Sequence, residues 1–207
     1  MKVSWENHIL KKIKFLFLIV LGVATQALQA QEMSYELDPA NTKIEFSVPA
    51  TMHTVHGTFQ LKSGSIQFDA ATGKADGLVV VDVKSGQTGN DGRDRKMHRE
   101  VLQSERYPEA TFRPTRLNQG GDLKQNPTVQ VSGILNIHGR DHEVTVAVPV
   151  QQTGDELTTT IRFVIPYTEW GLKNPSTFIL HVSNQAQMEI TTSGRLVHGK
   201  KNDASPH

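Results

Sequence analysis

Cysteine is absent from all 207 residues. That excludes a disulfide framework, thiolate zinc, iron–sulfur ligation, a cysteine nucleophile and a lipid-bearing N-terminal cysteine. An excess of one charge is absent too. Lys+Arg number 22 against 21 Asp+Glu, a formal net charge of +1, so no broad basic field exists to gather nucleic acid. Aromatics are scarce, at 6%. Hydrophobic residues at 37% are nonetheless too many, and charged residues at 21% too few, for a disordered chain. The length bounds the fold to one ordinary domain or two small ones. No Gly-x-Ser-x-Gly elbow, phosphate-cradling loop or dinucleotide fingerprint occurs. The sequence therefore nominates no catalytic residue and no cofactor.

The first thirty residues differ in composition from the rest. Lys2, Lys11, Lys12 and Lys14 precede the apolar run Phe15 to Val23, which ends in Ala24-Thr25-Gln26-Ala27-Leu28-Gln29-Ala30. A basic start, a short apolar middle and a small-residue end are the three parts of a secretory signal. The apolar run is shorter than the ~20 residues a membrane-spanning helix needs. The expectation is cleavage after Ala30, with Ala27 as the other usable position, and a periplasmic or secreted product without a transmembrane segment. Beyond Ala30 stand 18 basic and 20 acidic residues.

After that point the dominant signal is alternation, the period-2 mark of strands with one buried face. Ile44, Phe46 and Val48 alternate with polar residues, as do Phe59 and Leu61, Ile66 and Phe68, and Val79, Val81 and Val83. Val129 and Val131, Leu135 and Ile137, Val144 to Val150, Leu157 to Ile165, and Met188 with Ile190 repeat the pattern. Gly, Asn, Asp and Pro clusters punctuate these runs, and Ser63-Gly64-Ser65 reads as a turn. His138 to His142 separates two runs and reads as a tight hairpin around Gly139. One segment breaks the rhythm. Asp91 to Ser104 places Met97, Val101 and Leu102 at helical offsets, with Asp91 or Asp94 able to cap its start and Pro108 beyond its end. Eight or nine short antiparallel strands with one inserted helix predict an all-β barrel, closing around room for one small ligand.

Several motifs in this frame resemble the YceI-like family of secreted, lipocalin-like barrels. Tyr35-Glu36-Leu37-Asp38 followed by Ile44-x-Phe46 is similar to its first strand pair, and Val55-x-Gly57-x-Phe59 to its next step. Gly92-Arg93-Asp94, Met97-His98, Leu102 and Tyr107 to Phe112 resemble its inserted helix and the strand after it. Gly133-x-Leu135-x-Ile137-x-Gly139 matches its hairpin, and Trp170-Gly171-Leu172 its aromatic-Gly-aliphatic step. The likeness runs from Tyr35 to Leu196 and leaves no room for a second domain. It differs at two places: His98 is displaced relative to an Arg-Asp-x-His-Leu pattern, and Tyr167 stands where many members carry Arg. The resemblance implies an eight-stranded antiparallel barrel over residues 31–197, between a signal peptide at 1–30 and a disordered tail at 198–207. It also implies non-catalytic binding or carriage of a polyisoprenoid or fatty-acid-like lipid.

Candidate side chains follow from that reading. Phe46, Val48, Phe59, Leu61, Val79, Val81 and Phe112 are the expected inward-facing ligand contacts. Arg93, Arg95 and His98 form a cationic mouth that would meet an anionic head group beside a helix N-terminus. His53 and His56 lie three residues apart, an offset that sends strand side chains to opposite faces. His138 and His142 can face each other across a hairpin, but two ligands without a third make a poor metal site. No metal is therefore expected. Two other functions stay open: a structural or stress-protective envelope protein with a filled barrel, and a His-based metal-dependent activity. A homodimer stays open as well.

Overall fold

Each alternating run lies in a strand, with Val150 falling between two of them. The structure, a computed structural model, describes residues 32–120 and 128–198. The expected signal peptide, and all but the first residue of the expected tail, lie outside these residues. The strands are β1 (Glu32–Leu37), β2 (Lys43–Pro49), β3 (Thr54–Asp69), β4 (Ala75–Gln87) and β5 (Glu109–Gly120). They continue with β6 (Thr128–Ile137), β7 (Arg140–Pro149), β8 (Gln151–Thr153), β9 (Glu156–Ile165) and β10 (Ala186–His198). All ladders are antiparallel, in the order β7-β6-β5-β4-β3-β1-β10-β9-β8, with β2 also pairing β3 and β10.

β1 and β2 lie end to end between the same two neighbours. β1 pairs with the second half of β3 and the end of β10, and β2 with the first half of β3 and the start of β10. A turn over Pro39–Asn41 joins them, capped by the Asp38 carboxylate, which accepts from the Ala40 amide at 2.9 Å. β8 extends β7 beyond Val150 and pairs with the start of β9. Counting β1 with β2 and β7 with β8 gives the eight positions of a small barrel. Toward the helix end β7 and β9 run side by side, and no ladder joins them among the described residues.

Ser63-Gly64-Ser65 is not a turn. It lies inside β3, a single strand of 16 residues. The register against β4 slips near Leu61 and Ser63. Such an extra residue shifts side-chain parity. Phe59 and Leu61 before it, and Ile66 and Phe68 after it, therefore all face inward. The segment reads as turn chemistry because Gly and Ser are small. Here Gly64 lies against the Leu37 side chain, 3.1 Å from where a Cβ would stand.

The expected helix is present as α1 (Asp91–Lys96), which runs on into a π-helical turn over Met97–Leu102. Its cap is Asn90 rather than Asp91 or Asp94, the Asn90 side chain accepting from the Arg93 amide at 2.9 Å. Asp94 is engaged elsewhere, accepting from the Thr88 amide at 3.0 Å and from the Thr88 hydroxyl. The hairpin between β6 and β7 is tighter than the span from His138 to His142. Only His138 and Gly139 turn, both at positive φ, 53° and 72°. That is the left-handed pair a two-residue hairpin needs.

Polar and charged side chains cover the outside, where Arg162 on β9 makes a two-pronged ion pair with Glu189 on β10. Apolar side chains line the inside. This is the reverse of a membrane-spanning barrel, which turns its apolar face outward.

Candidate functional site

The inward faces of the strands do two different things along the barrel. Near the helix, Phe46, Leu61, Ile165, Tyr167, Leu172 and Met188 pack with Val101 of the π-helical turn into a closed core. Phe46 is placed by a missing side chain. A Cβ on Gly57 would stand 2.3 Å from the Phe46 ring, so only glycine leaves the ring room to cross that strand. Phe46 also leans on Phe59, ring centroids 5.2 Å apart. Tyr167, buried in the same core, donates from its hydroxyl to the Ser183 carbonyl at 2.6 Å.

Beyond that core the barrel is hollow. A cavity of about 420 Å³ runs along its axis, within the range of small-molecule sites. Its wall is almost entirely apolar, drawn from every strand position. Phe59, Val79, Val81 and Phe112 line it. Phe46, Val48 and Leu61 do not: they share the inward face but belong to, or pack against, the closed core. Much of the remaining wall comes from Val144, Val146 and Val148 on β7 and Ile161 and Phe163 on β9. Those residues had the alternation signal without being nominated, because alternation does not say where along a barrel the plug ends.

Arg93, Arg95 and His98 do not reach this cavity. Arg93 turns back on its own loop, donating from Nε to the Thr88 hydroxyl at 2.7 Å and from Nη2 to the Thr88 carbonyl at 2.9 Å. His98 clamps the π-helical turn to β4. Its Nε2 lies 2.7 Å from the Gly86 carbonyl, which can only accept, so Nε2 carries the proton; Nδ1 lies 3.0 Å from the Ser104 hydroxyl. Arg95 is exposed, in a shallow outer hollow with Lys84, Arg99 and Arg106. The residues of the expected cationic mouth thus lie outside the lumen lining, Arg93 and His98 engaged with neighbouring backbone and Arg95 exposed.

Polar groups at the lumen are few. The Tyr35 hydroxyl donates to the Leu157 carbonyl at 3.3 Å, and Thr192 shares a 2.7 Å hydrogen bond with Thr42. His138 and Thr159 line the same space, and His138 Nε2 and Thr159 Oγ1, like His142 Nε2, are buried without a partner. His138 leans at a tilt on Tyr107 with centroids 4.3 Å apart, while His142 lies flat on Trp170 at 4.1 Å. The two imidazoles thus lean on separate aromatic rings. Burial first, and then Arg140 and Arg106, hold His138 below its ordinary pKa. Burial and Arg140 do the same for His142, against the opposing Asp141. Among the described residues no group of three or more His, Asp or Glu is placed to hold a metal.

A family model described as the YceI-like domain matches residues 35–193. A UPF0312 protein of Pseudomonas savastanoi pv. phaseolicola is 29% identical over 133 residues, 61% of this chain and 67% of that protein. Protein YceI of Escherichia coli O6:H1 is 28% identical over 104 residues, 49% of this chain and about half, 52%, of its own length. In three dimensions the chain is similar to Burkholderia cenocepacia BcnA, with a TM-score of 0.63 and 21% identity over 76% of this chain and 98% of that one. A polyisoprenoid binding domain from Saccharophagus degradans, implicated in plant cell wall breakdown, gives a TM-score of 0.56 and 18% identity over 78% and 97%. At such identities the solved structures speak for the fold.

Proposed function

The chain belongs to the YceI-like domain family, and from that premise we propose that it binds and carries a long apolar molecule, of polyisoprenoid or fatty-acid type, inside its barrel. One observation carries the reading: the axial cavity of about 420 Å³ has a wall that is almost all hydrocarbon. Transfer of a flexible alkyl or prenyl chain into such a space contributes about 0.8 kcal/mol per buried CH₂. No catalytic group or cofactor is needed for that. The unpartnered His138 Nε2 and Thr159 Oγ1 give a hydroxyl or carbonyl on the ligand a place to hydrogen-bond, so a chain with one polar end fits better than a pure hydrocarbon. The basic, apolar and small-residue blocks of residues 1–30 support action outside the cytoplasm. The matched domain of a Saccharophagus degradans protein, described as binding polyisoprenoid, supports the ligand class.

Native mass spectrometry of protein recovered from its own cell envelope tests the reading. A co-purifying lipid mass is expected, and it should disappear when Val146→Trp and Val148→Trp fill the cavity, since these two line it without packing against the core around Phe46. An empty barrel, unable to take up an added prenyl alcohol, would favour the filled structural protein. A bound metal would favour the His-based alternative.

A further inference from the structure

We propose that the tip formed by Met52, Phe178 and Ile179 inserts into the interface of a lipid bilayer. Phe178 is 100% exposed, Ile179 84% and Met52 86%, the most exposed large apolar side chains among the described residues. Isolated exposed apolar residues need no explanation, but a cluster does. These three cluster because two loops are tied together. The Thr51 amide donates to the His181 carbonyl at 2.9 Å, and the His181 amide donates back to the Thr51 hydroxyl at 2.9 Å. Ala50 also bridges to Val182.

Phe178 and Ile179 occupy the middle of a tight turn, closed by the Thr177 amide donating to the Leu180 carbonyl at 2.8 Å. Those positions ordinarily go to Gly, Asn, Asp or Pro. Two large apolar residues there place hydrocarbon at the furthest point of the loop. The backbone behind them is satisfied internally. The Leu180 amide reaches the Thr177 hydroxyl at 3.1 Å, the Ser176 amide the Asn174 side chain at 2.8 Å, and the Val182 amide the Ser176 hydroxyl at 2.8 Å. That leaves mainly the backbone of Phe178 and Ile179 to be met by water and head groups at the membrane interface, where such a tip lies.

The surrounding charge selects the partner. No Asp or Glu occurs from Phe46 to Phe68 or from Trp170 to Met188, whereas His53, His56, His181 and Lys173 all lie there, Lys173 paired with Glu100 of the π-helical turn. The two loops carry no carboxylate, and the Lys96 ammonium reaches one of them at the Pro175 carbonyl, 3.2 Å away, so the apolar tip complements an anionic lipid surface. A second copy of the chain fits less well. Three side chains of at most about 200 Å² each fall short of the ~800 Å² per partner that a stable interface buries. The proposal does not depend on what the lumen holds.

The missing cysteines make the test clean. Phe178→Cys in the full chain, labelled with an environment-sensitive dye, is mixed with vesicles of phosphatidylethanolamine and phosphatidylglycerol. Ala71→Cys, exposed at the opposite end of the barrel, is labelled as the control. The dye at 178 should shift to the blue and be quenched by lipids brominated in their acyl chains, and the dye at 71 should do neither. In the unlabelled protein, Phe178→Asp with Ile179→Asp should lower vesicle partitioning at least tenfold while leaving the circular dichroism and melting curve unchanged. Unchanged emission at 178, or equal quenching at 71 and 178, overturns the proposal, the latter assigning membrane contact to another segment such as Phe15 to Val23. A concentration-dependent dimer that the double variant abolishes also overturns it, in favour of self-association.

Discussion

His138 and His142 carry a charge cost that the fold avoids by keeping both neutral. Their folded pKa values lie below the ordinary one, burial being the first cause for each. The unfolded chain, with its imidazoles near 6.5, therefore takes up protons first, and stability falls as pH drops through that value. Above it the contribution is constant. The melting temperature should decline as pH falls from about 7 to 5, and His138→Gln with His142→Gln should flatten the decline in a pH series of melts. Phe46 is sensitive for another reason. It fills the closed core rather than the ligand space, so Phe46→Ala should cost about 3–5 kcal/mol in denaturant titration. Gly57→Val should destabilise through the same contact, because its added carbons would collide with the Phe46 ring. Inward parity at Phe46 and Phe59 was legible from alternation. Which of the two lines the cavity was not, because that depends on residues distant in sequence, Val101 and Tyr167 among them, that share the closed core with Phe46.

The helix shows how a motif can be visible while its purpose is not. Its position and start were readable between Gln87 and Pro108, but its cap is Asn90, which was not among the candidates Asp91 and Asp94. Three residues close together, Asn90, Asp91 and Asp94, offer competing caps, and Asp94 is taken out of the contest by Thr88, which engages it. Asn90→Ala should cost about 1 kcal/mol, the ordinary loss of a helix N-cap, read from the chemical denaturation midpoint. Arg93 and His98 of this element hold the loop and the helical turn in place, and Arg95 is exposed outside the lumen. Replacing Arg93 and Arg95 by Ala should therefore weaken a prenyl alcohol and its pyrophosphate equally, or neither, in a fluorescence titration. A selective loss of the pyrophosphate would return these arginines to the ligand. β3 was misread for a kindred reason: a register slip inside a long strand and a turn between two short ones use the same small residues.

Barrel class and an inward-facing parity were legible across the described residues, since they rest on period and punctuation; the strand count was not, since β3 was split at a false turn and β1 with β2, and β7 with β8, each share one barrel position. The tie between the loops bearing Met52 and Phe178 was not, because it depends on hydrogen bonds across more than a hundred residues of sequence, as between Thr51 and His181. If the chain is exported as proposed, N-terminal sequencing of the protein recovered from cells should begin at Gln31, or at Leu28 if Ala27 is used; intact Met1 would refute cleavage. The run of β7 beside β9 without a ladder has a mechanical consequence. A tube laced all the way round has a fixed bore, whereas one slit along part of its length is soft in torsion and widens without breaking a bond. Such a slit tube accepts chains of different girth, and accepts them sideways instead of end-on. Pinned at β8 and free toward the helix, it would open like a split collet. In hydrogen exchange the β7 amides that face β9 should therefore exchange ahead of those in the β5–β6 ladder, and slow once a ligand holds the bore at one width.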